Sequence, residues 1–211
     1  LYALESGDPI KDFDFIGFTL QYEMCYTNVL NMLDLAGLPV RSADRKSLSP
    51  IVMGGGPCVC NPEPMAEFFD LFSLGEGEEV NSEIMDLYKE HKKRGSSKEE
   101  FLIDAAKIPG VYVPSFYDIS YNDDGTIKSV TPKNGAPEKA VKRVISDLDK
   151  VPYPKSFVVP FINVVHDHVT HEIFRGCIRG CRFCEAGYAY RPVRERRAKT
   201  LTELADRLLG C

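Results

Sequence analysis

Residues 51–79 read IVMGGGPCVCNPEPMAEFFDLFSLGEGEE. Ile51-Val52-Met53 is a short apolar run that breaks into Gly54-Gly55-Gly56-Pro57. A short helix is predicted around Pro64–Phe69. Asp70–Leu74 is a second apolar run, and it breaks into Gly75-Glu76-Gly77. Short runs with no polar alternation, bounded by turn residues, are the pattern of strands buried on both faces. Upstream, residues 13–20 (FDFIGFTL) give another buried strand, with residues 1–4 as a further candidate. Between them and Ile51, Tyr22, Cys25, Val29, Met32 and Leu33 recur at helical spacing over Gln21–Ala36, with Gly37 placed to end the helix. Downstream, residues 78–94 form an amphipathic helix with a basic last turn, His91-Lys92-Lys93-Arg94, as the helix dipole favours. Ser97 and Glu100 form a capping box for a further helix to about Lys107. Strands alternating with helices, each strand ending in glycine, imply an α/β fold with a parallel, doubly wound sheet. Such sheets take ligands beyond the carboxyl ends of their strands. Gly54, Gly55, Gly56, Gly75 and Gly77 stand at those ends, either to let a cofactor approach the backbone or simply as tight turns.

Beyond Pro109 the pattern changes. Val111–Tyr117 and Thr126–Thr131 flank Asn122-Asp123-Asp124-Gly125, a β-hairpin signal. Residues 132–160 contain five prolines and many lysines, and read as a linker with a strand near 141–145. Strands are predicted at 161–165 and 169–174, then a basic loop over 192–200. Thr200 with Glu203 is a second capping box, opening a helix through Leu201, Leu204, Ala205, Leu208 and Leu209. Three regions result: 1–108, an α/β domain; 109–160, hairpin and linker; and 161–211, the start of a second domain.

The 211 residues carry 26 Lys and Arg against 31 Asp and Glu, a net charge of −5, with 44% hydrophobic residues. This composition is globular and excludes fibrous and disordered classes. A mildly acidic chain gives no indication of nucleic-acid binding. No apolar run approaches the about 20 residues of a membrane span. The charge is uneven: residues 172–211 hold nine basic residues, eight of them Arg, and five acidic ones. The seven cysteines are 25, 58, 60, 177, 181, 184 and 211. An odd number, with three inside eight residues, points to a thiolate metal site in a reducing cytoplasm rather than to disulfides.

Cys177, Cys181 and Cys184 have the spacing C-x₃-C-x₂-C, directly after the strand ending at Phe174. Three thiolates on one loop suit three irons of a cubane cluster and leave the fourth iron open, whereas ordinary [4Fe–4S] proteins supply four cysteines. Gly176 and Gly180 let the loop curl, and Arg175, Arg179 and Arg182 offset the cluster's negative charge. The alternatives are incidental thiols or a zinc site. His166, His168 and His171 lie upstream, but His171 falls on the opposite strand face from the other two. Cys58 and Cys60 read as small buried residues. Arg191, Arg194, Arg196 and Arg197 suit either an anionic ligand or a solvated basic loop.

The segment 172–197 (EIFRGCIRGCRFCEAGYAYRPVRERR) resembles the cluster loop of radical S-adenosylmethionine (radical SAM) enzymes. The resemblance implies that Cys177, Cys181 and Cys184 ligate a [4Fe–4S] cluster and that the fourth iron chelates S-adenosylmethionine. It sets Phe183 against the adenine. The implied activity is formation of a 5′-deoxyadenosyl radical that attacks an unknown substrate, with an electron donor such as flavodoxin or ferredoxin. Residues 13–33, 54–79, 110–117 and 165–197 together resemble a subgroup whose barrel follows a flavodoxin-like, cobalamin-binding-type domain. Cobalamin, and methyl transfer with it, therefore enter as expectations, although the Asp-x-His-x-x-Gly motif that supplies a protein imidazole is absent. The same resemblance aligns residues 1–4 with the second strand of that domain, and residues 161–211 with the first β/α unit of the barrel. The expectation is an enzyme fragment, inactive by itself. The rival is a non-catalytic iron–sulfur or zinc module, or a scaffold.

Overall fold

A computed structural model of the chain describes residues 1–154, 156, 161–163, 165, 168 and 170–209. These fall into two compact units, Leu1–Val144 and Ile145–Cys211, so that residues 109–144 go with the first.

The first unit is built on β1 (Phe15–Thr19), β2 (Ile51–Gly55), β3 (Leu71–Ser73) and β4 (Val111–Tyr112), in the order β1-β2-β3-β4. The first three run parallel, in register Phe15↔Ile51 to Thr19↔Gly55 and Met53↔Leu71. The apolar runs of β2 and β3 are continuous because helices or turns cover both faces. Ile51, Met53 and Leu71 face one layer with Val80, Ile84, Tyr88, Phe101 and Leu102. Val52 and Phe72, of opposite parity as a strand dictates, face the other with Val29, Leu33, Val59, Met65 and Phe69. The first layer is α2 (Gly77–Arg94) and α3 (Lys98–Ala105). The second is α1 (Tyr26–Leu35) with the short turns between Pro57 and Met65.

The α/β fold and the parallel core stand as expected, with three differences. Val111–Tyr112 leaves the predicted hairpin and joins the sheet antiparallel to β3, through Phe72↔Tyr112 and Ser73↔Val111. Helices α2 and α3 come to the first layer through this antiparallel return, with no reversal of strand order. The hairpin forms one step later, from β5 (Tyr117–Tyr121) and β6 (Ile127–Pro132). Residues 1–4 form no strand: Tyr2 makes a single bridge to Pro9. The Ser97–Glu100 capping box is present in both directions.

Buried charge ties the loops to the sheet. Asp70, 1% exposed, accepts hydrogen bonds from Lys98 Nζ (2.6 Å), Arg45 Nη2 (3.1 Å), the amide of Val52 (2.8 Å) and the Ser42 hydroxyl. Burial pushes the Lys98 ammonium down, and Asp70 pulls against that shift.

In the second unit, β7 (Phe174–Arg175) pairs antiparallel with β8 (Arg194–Glu195), and α4 (Ala186–Ala189) and α5 (Ala198–Leu209) complete it. Of the strands predicted at 161–165 and 169–174, only Phe174 among the described residues lies in a strand. Val164, His166 and Val169 fall outside the described residues. Helix α5 starts at Ala198, so Thr200 is not its cap. The entry is held by Asp149, whose carboxylate accepts from the Arg197 amide (3.0 Å) and from the Arg197 side chain.

Candidate functional site

Cys177, Cys181 and Cys184 lie on the loop between β7 and β8. Pairing of Phe174 with Glu195 and of Arg175 with Arg194 brings the two ends of this excursion together. At its start Gly176 has φ +100°, and a Cβ there would stand 2.8 Å from Val193 Cα and 2.9 Å from the Pro192 and Tyr190 carbonyl oxygens. Only a residue without a side chain lets the loop pack this closely on the returning chain. Farther on, a Cβ at Gly187 would meet the Arg179 carbonyl at 2.6 Å. The Cys184 amide donates to the Cys181 carbonyl (3.1 Å), and the Arg179 amide to Cys177 Sγ (3.4 Å). Cys177 and Cys184 are half-buried and Cys181 is exposed; no disulfide joins the described cysteines.

Three thiols within eight residues are the donor set that a cubane cluster with one open iron requires. Among the described residues, no three His, Cys, Asp or Glu side chains are gathered as a metal cage, so the loop supplies the donors without holding them at one point. Among the described residues no fourth donor for zinc is gathered with them. His171 stacks on Tyr153 at 6.1 Å, while His166 is outside the described residues. Phe183 is 93% exposed and Ile178 82% exposed, next to exposed Arg179 and Arg182.

The arginines after the loop are structural staples. Arg196, buried, donates to the Glu172 carboxylate (3.0 Å), the Glu172 carbonyl (3.1 Å) and the Leu148 carbonyl, and lies over the Tyr153 ring at 5.4 Å. Glu172 also accepts two bonds from Arg175, at 2.7 and 3.0 Å. Burial pushes the Glu172 carboxyl up, but the two arginines outweigh it and hold it below the ordinary value. Arg194 donates to the Ile145 carbonyl (2.6 Å), and Arg191 lies over Tyr188 at 5.1 Å. Arg194 and Arg196 bind their own chain, while Arg197, 74% exposed, stays at the surface and pairs with Asp149. The sequence carried no local signal for this, because Leu148 and Asp149 stand almost fifty residues upstream.

The glycines of the first unit meet protein atoms. A Cβ at Gly54 would strike the Phe72 ring at 2.6 Å. One at Gly56 would lie 2.9 Å from the Leu20 carbonyl oxygen. One at Gly75 would stand 2.9 Å from the Arg143 amide nitrogen, with its carbonyl oxygen nearer still. At Gly77 the neighbour is the Asn81 side chain, and at Gly55 the nearest atom is Ser73 O at 4.0 Å. At Gly54, Gly56 and Gly75 the close approach that glycine permits is thus taken up by the chain's own packing. Cys58 is buried in the α1 layer, where burial and then Cys58 push the Tyr26 hydroxyl up to about 12.

The sequence profile of the N-terminal region of radical SAM proteins matches residues 1–114. An uncharacterized protein of Methanocaldococcus jannaschii is 32% identical over 207 residues, which is 98% of this chain and 37% of that relative. The chain therefore spans little more than a third of the relative's length.

Proposed function

Because the chain belongs to the radical SAM proteins, we propose that Cys177, Cys181 and Cys184 hold a [4Fe–4S] cluster with one iron left open for S-adenosylmethionine. The observation that carries this is the loop: three thiols at C-x₃-C-x₂-C spacing between two paired strands, after a glycine packed against the returning chain. When bound, such a cluster supplies one electron that cleaves S-adenosylmethionine to a 5′-deoxyadenosyl radical, which takes a hydrogen atom from a substrate. The chain's residues do the holding. Strands β7 and β8 fix the loop's two ends, and Glu172 with Arg175 and Arg196 fixes the strands. Arg179 and Arg182 set positive charge beside the thiolates. Phe183 is the exposed aromatic available to the adenine.

The reaction of the whole protein, its substrate, and an external carrier of the flavodoxin or ferredoxin kind belong to the same proposal, as does a reducing cytoplasm. No helix among the described residues is long and apolar enough to cross a membrane. Cobalamin is not part of this proposal: Gly54, Gly56 and Gly75 pack against the chain's own atoms, and no observation supports a corrinoid there.

Anaerobic reconstitution with iron and sulfide tests the proposal. The expected product is a brown protein with about four irons per chain and an EPR signal, after reduction, that changes on adding S-adenosylmethionine. Cys181→Ala is expected to lose the signal. A colourless protein with stoichiometric zinc, or a cluster that survives Cys181→Ala, rejects it.

A further inference from the structure

The carboxyl end of the sheet is where an open α/β sheet takes a ligand, and here the chain itself occupies two places along it. Between β1 and β2, the Leu20 amide donates to the Gly55 carbonyl (2.7 Å) and the Cys58 amide to the Leu20 carbonyl (3.1 Å). At the end of β3 the occupant comes from far along the chain. Arg143 bridges Gly75 in parallel sense. Its amide donates to the Leu74 carbonyl (2.8 Å), and its carbonyl accepts from the Glu76 amide (3.1 Å), at the mouth of α2. Anions favour a helix mouth; here the Arg143 carbonyl takes the Glu76 amide, and the first turn carries the acidic Glu78 and Glu79.

The side chain completes the closure. The Arg143 guanidinium donates to Glu79 through Nε (3.1 Å) and Nη2 (3.0 Å) and also to Glu83, on one face of α2. Its own side chain is 20% exposed. Two glycines make room: Gly75, at φ +92°, and Gly110, at φ +97°, where a Cβ would lie 2.9 Å from Arg143 Cβ. The approach to this position is also tied down, since the Lys133 amide donates to the Phe116 carbonyl (2.8 Å) and the Tyr117 hydroxyl to the Pro137 carbonyl (2.8 Å).

We propose that residues 142–144 are a strap, latched by Arg143, that closes the ligand-bearing end of the sheet, so that the first unit takes up no corrinoid at its glycine turns. The strap runs straight into Ile145, where the second unit begins, so the closing segment is also the tether between the units. Two unrelated features follow from one cause: glycines that a cofactor does not need, and an arginine inside a lysine-rich linker that pairs with two glutamates.

Hydrogen exchange resolved by residue tests this on the full 211-residue chain, and its readout does not depend on the cysteine loop. In the wild type, the Glu76 and Arg143 amides are expected to exchange far more slowly than those of the exposed turn at Asn122–Gly125. Arg143→Ala keeps the backbone bridge but loses the glutamate contacts, and is expected to speed both amides by about ten-fold or more while those of Val52 and Leu71 stay protected. The double variant Glu79→Gln, Glu83→Gln is expected to act in the same direction from the other side. Glu76 and Arg143 amides exchanging in the wild type as fast as the hairpin turn would overturn the strap. In equilibrium dialysis, hydroxocobalamin is expected to wash out of the wild-type chain; stoichiometric retention with the Arg143 amide still protected would overturn the closure.

Discussion

Asp70 compensates two buried cations, Arg45 and Lys98, and also receives a strand amide, so its removal leaves both cations without their counter-charge and the Val52 amide without its acceptor. Breaking a buried ion pair by deleting one partner costs about 3–5 kcal/mol. Asp70→Ala is expected to lose stability in that range by urea denaturation; a loss below about 1 kcal/mol would show that water replaces the carboxylate. Asp149 gives a signed pH dependence. The Arg197 side chain, then the Thr200 hydroxyl, hold its carboxyl down to about 2. An unfolded aspartate titrates near about 3.9. A depressed folded value means a contribution that is complete above the unfolded value and is lost as the pH falls through the folded one. Helix α5 is therefore expected to loosen between about pH 4 and about pH 2, followed by amide exchange at 198–203. Asp149→Asn should remove that pH dependence.

At the scale of elements, what the sequence made legible was local. The Ser97–Glu100 box depends on four consecutive residues and forms as expected; Ser97→Ala should cost about 1 kcal/mol, measured by the urea midpoint. The apolar runs at 51–53 and 70–74 were legible because full burial leaves no polar alternation. Other expectations failed where the partner is distant. Val111–Tyr112 has the composition of a hairpin arm, yet its neighbour is β3, some forty residues upstream. Thr200 and Glu203 match a capping box, yet Asp149, remote in sequence, holds the helix entry. Glycine after a strand does not say what approaches it, and Gly75 faces the distant Arg143. The cysteine loop was legible by spacing alone; its frame of Glu172, Arg175 and Arg196 was not, since runs of arginine look alike whether buried or solvated.

At the scale of the whole chain, the two units differ in what holds them. The first buries strands and helices in two layers on both faces of a sheet. In the second, the buried apolar side chains among the described residues are Ile145, Leu148, Leu204 and Leu208, alongside buried Arg196. Each such side chain contributes about 1.5–3 kcal/mol, whereas ordering the backbone costs about 1–2 kcal/mol per residue. The Glu172 staples narrow that gap, but on the cysteine loop Ile178 and Phe183 face water. Metal that draws separate thiolates together contributes its binding energy to folding. The second unit is therefore expected to be the weaker, and to gain from cluster assembly by linkage. Limited trypsin digestion measures both. Without iron, cleavage should begin at Arg179 and Arg182 while the α2–α3 region stays intact. After anaerobic reconstitution, cleavage at those two sites should slow by about ten-fold or more, with the first unit unchanged. Equal cleavage before and after loading would mean that the loop orders without the cluster, and that the staples alone are enough to hold it.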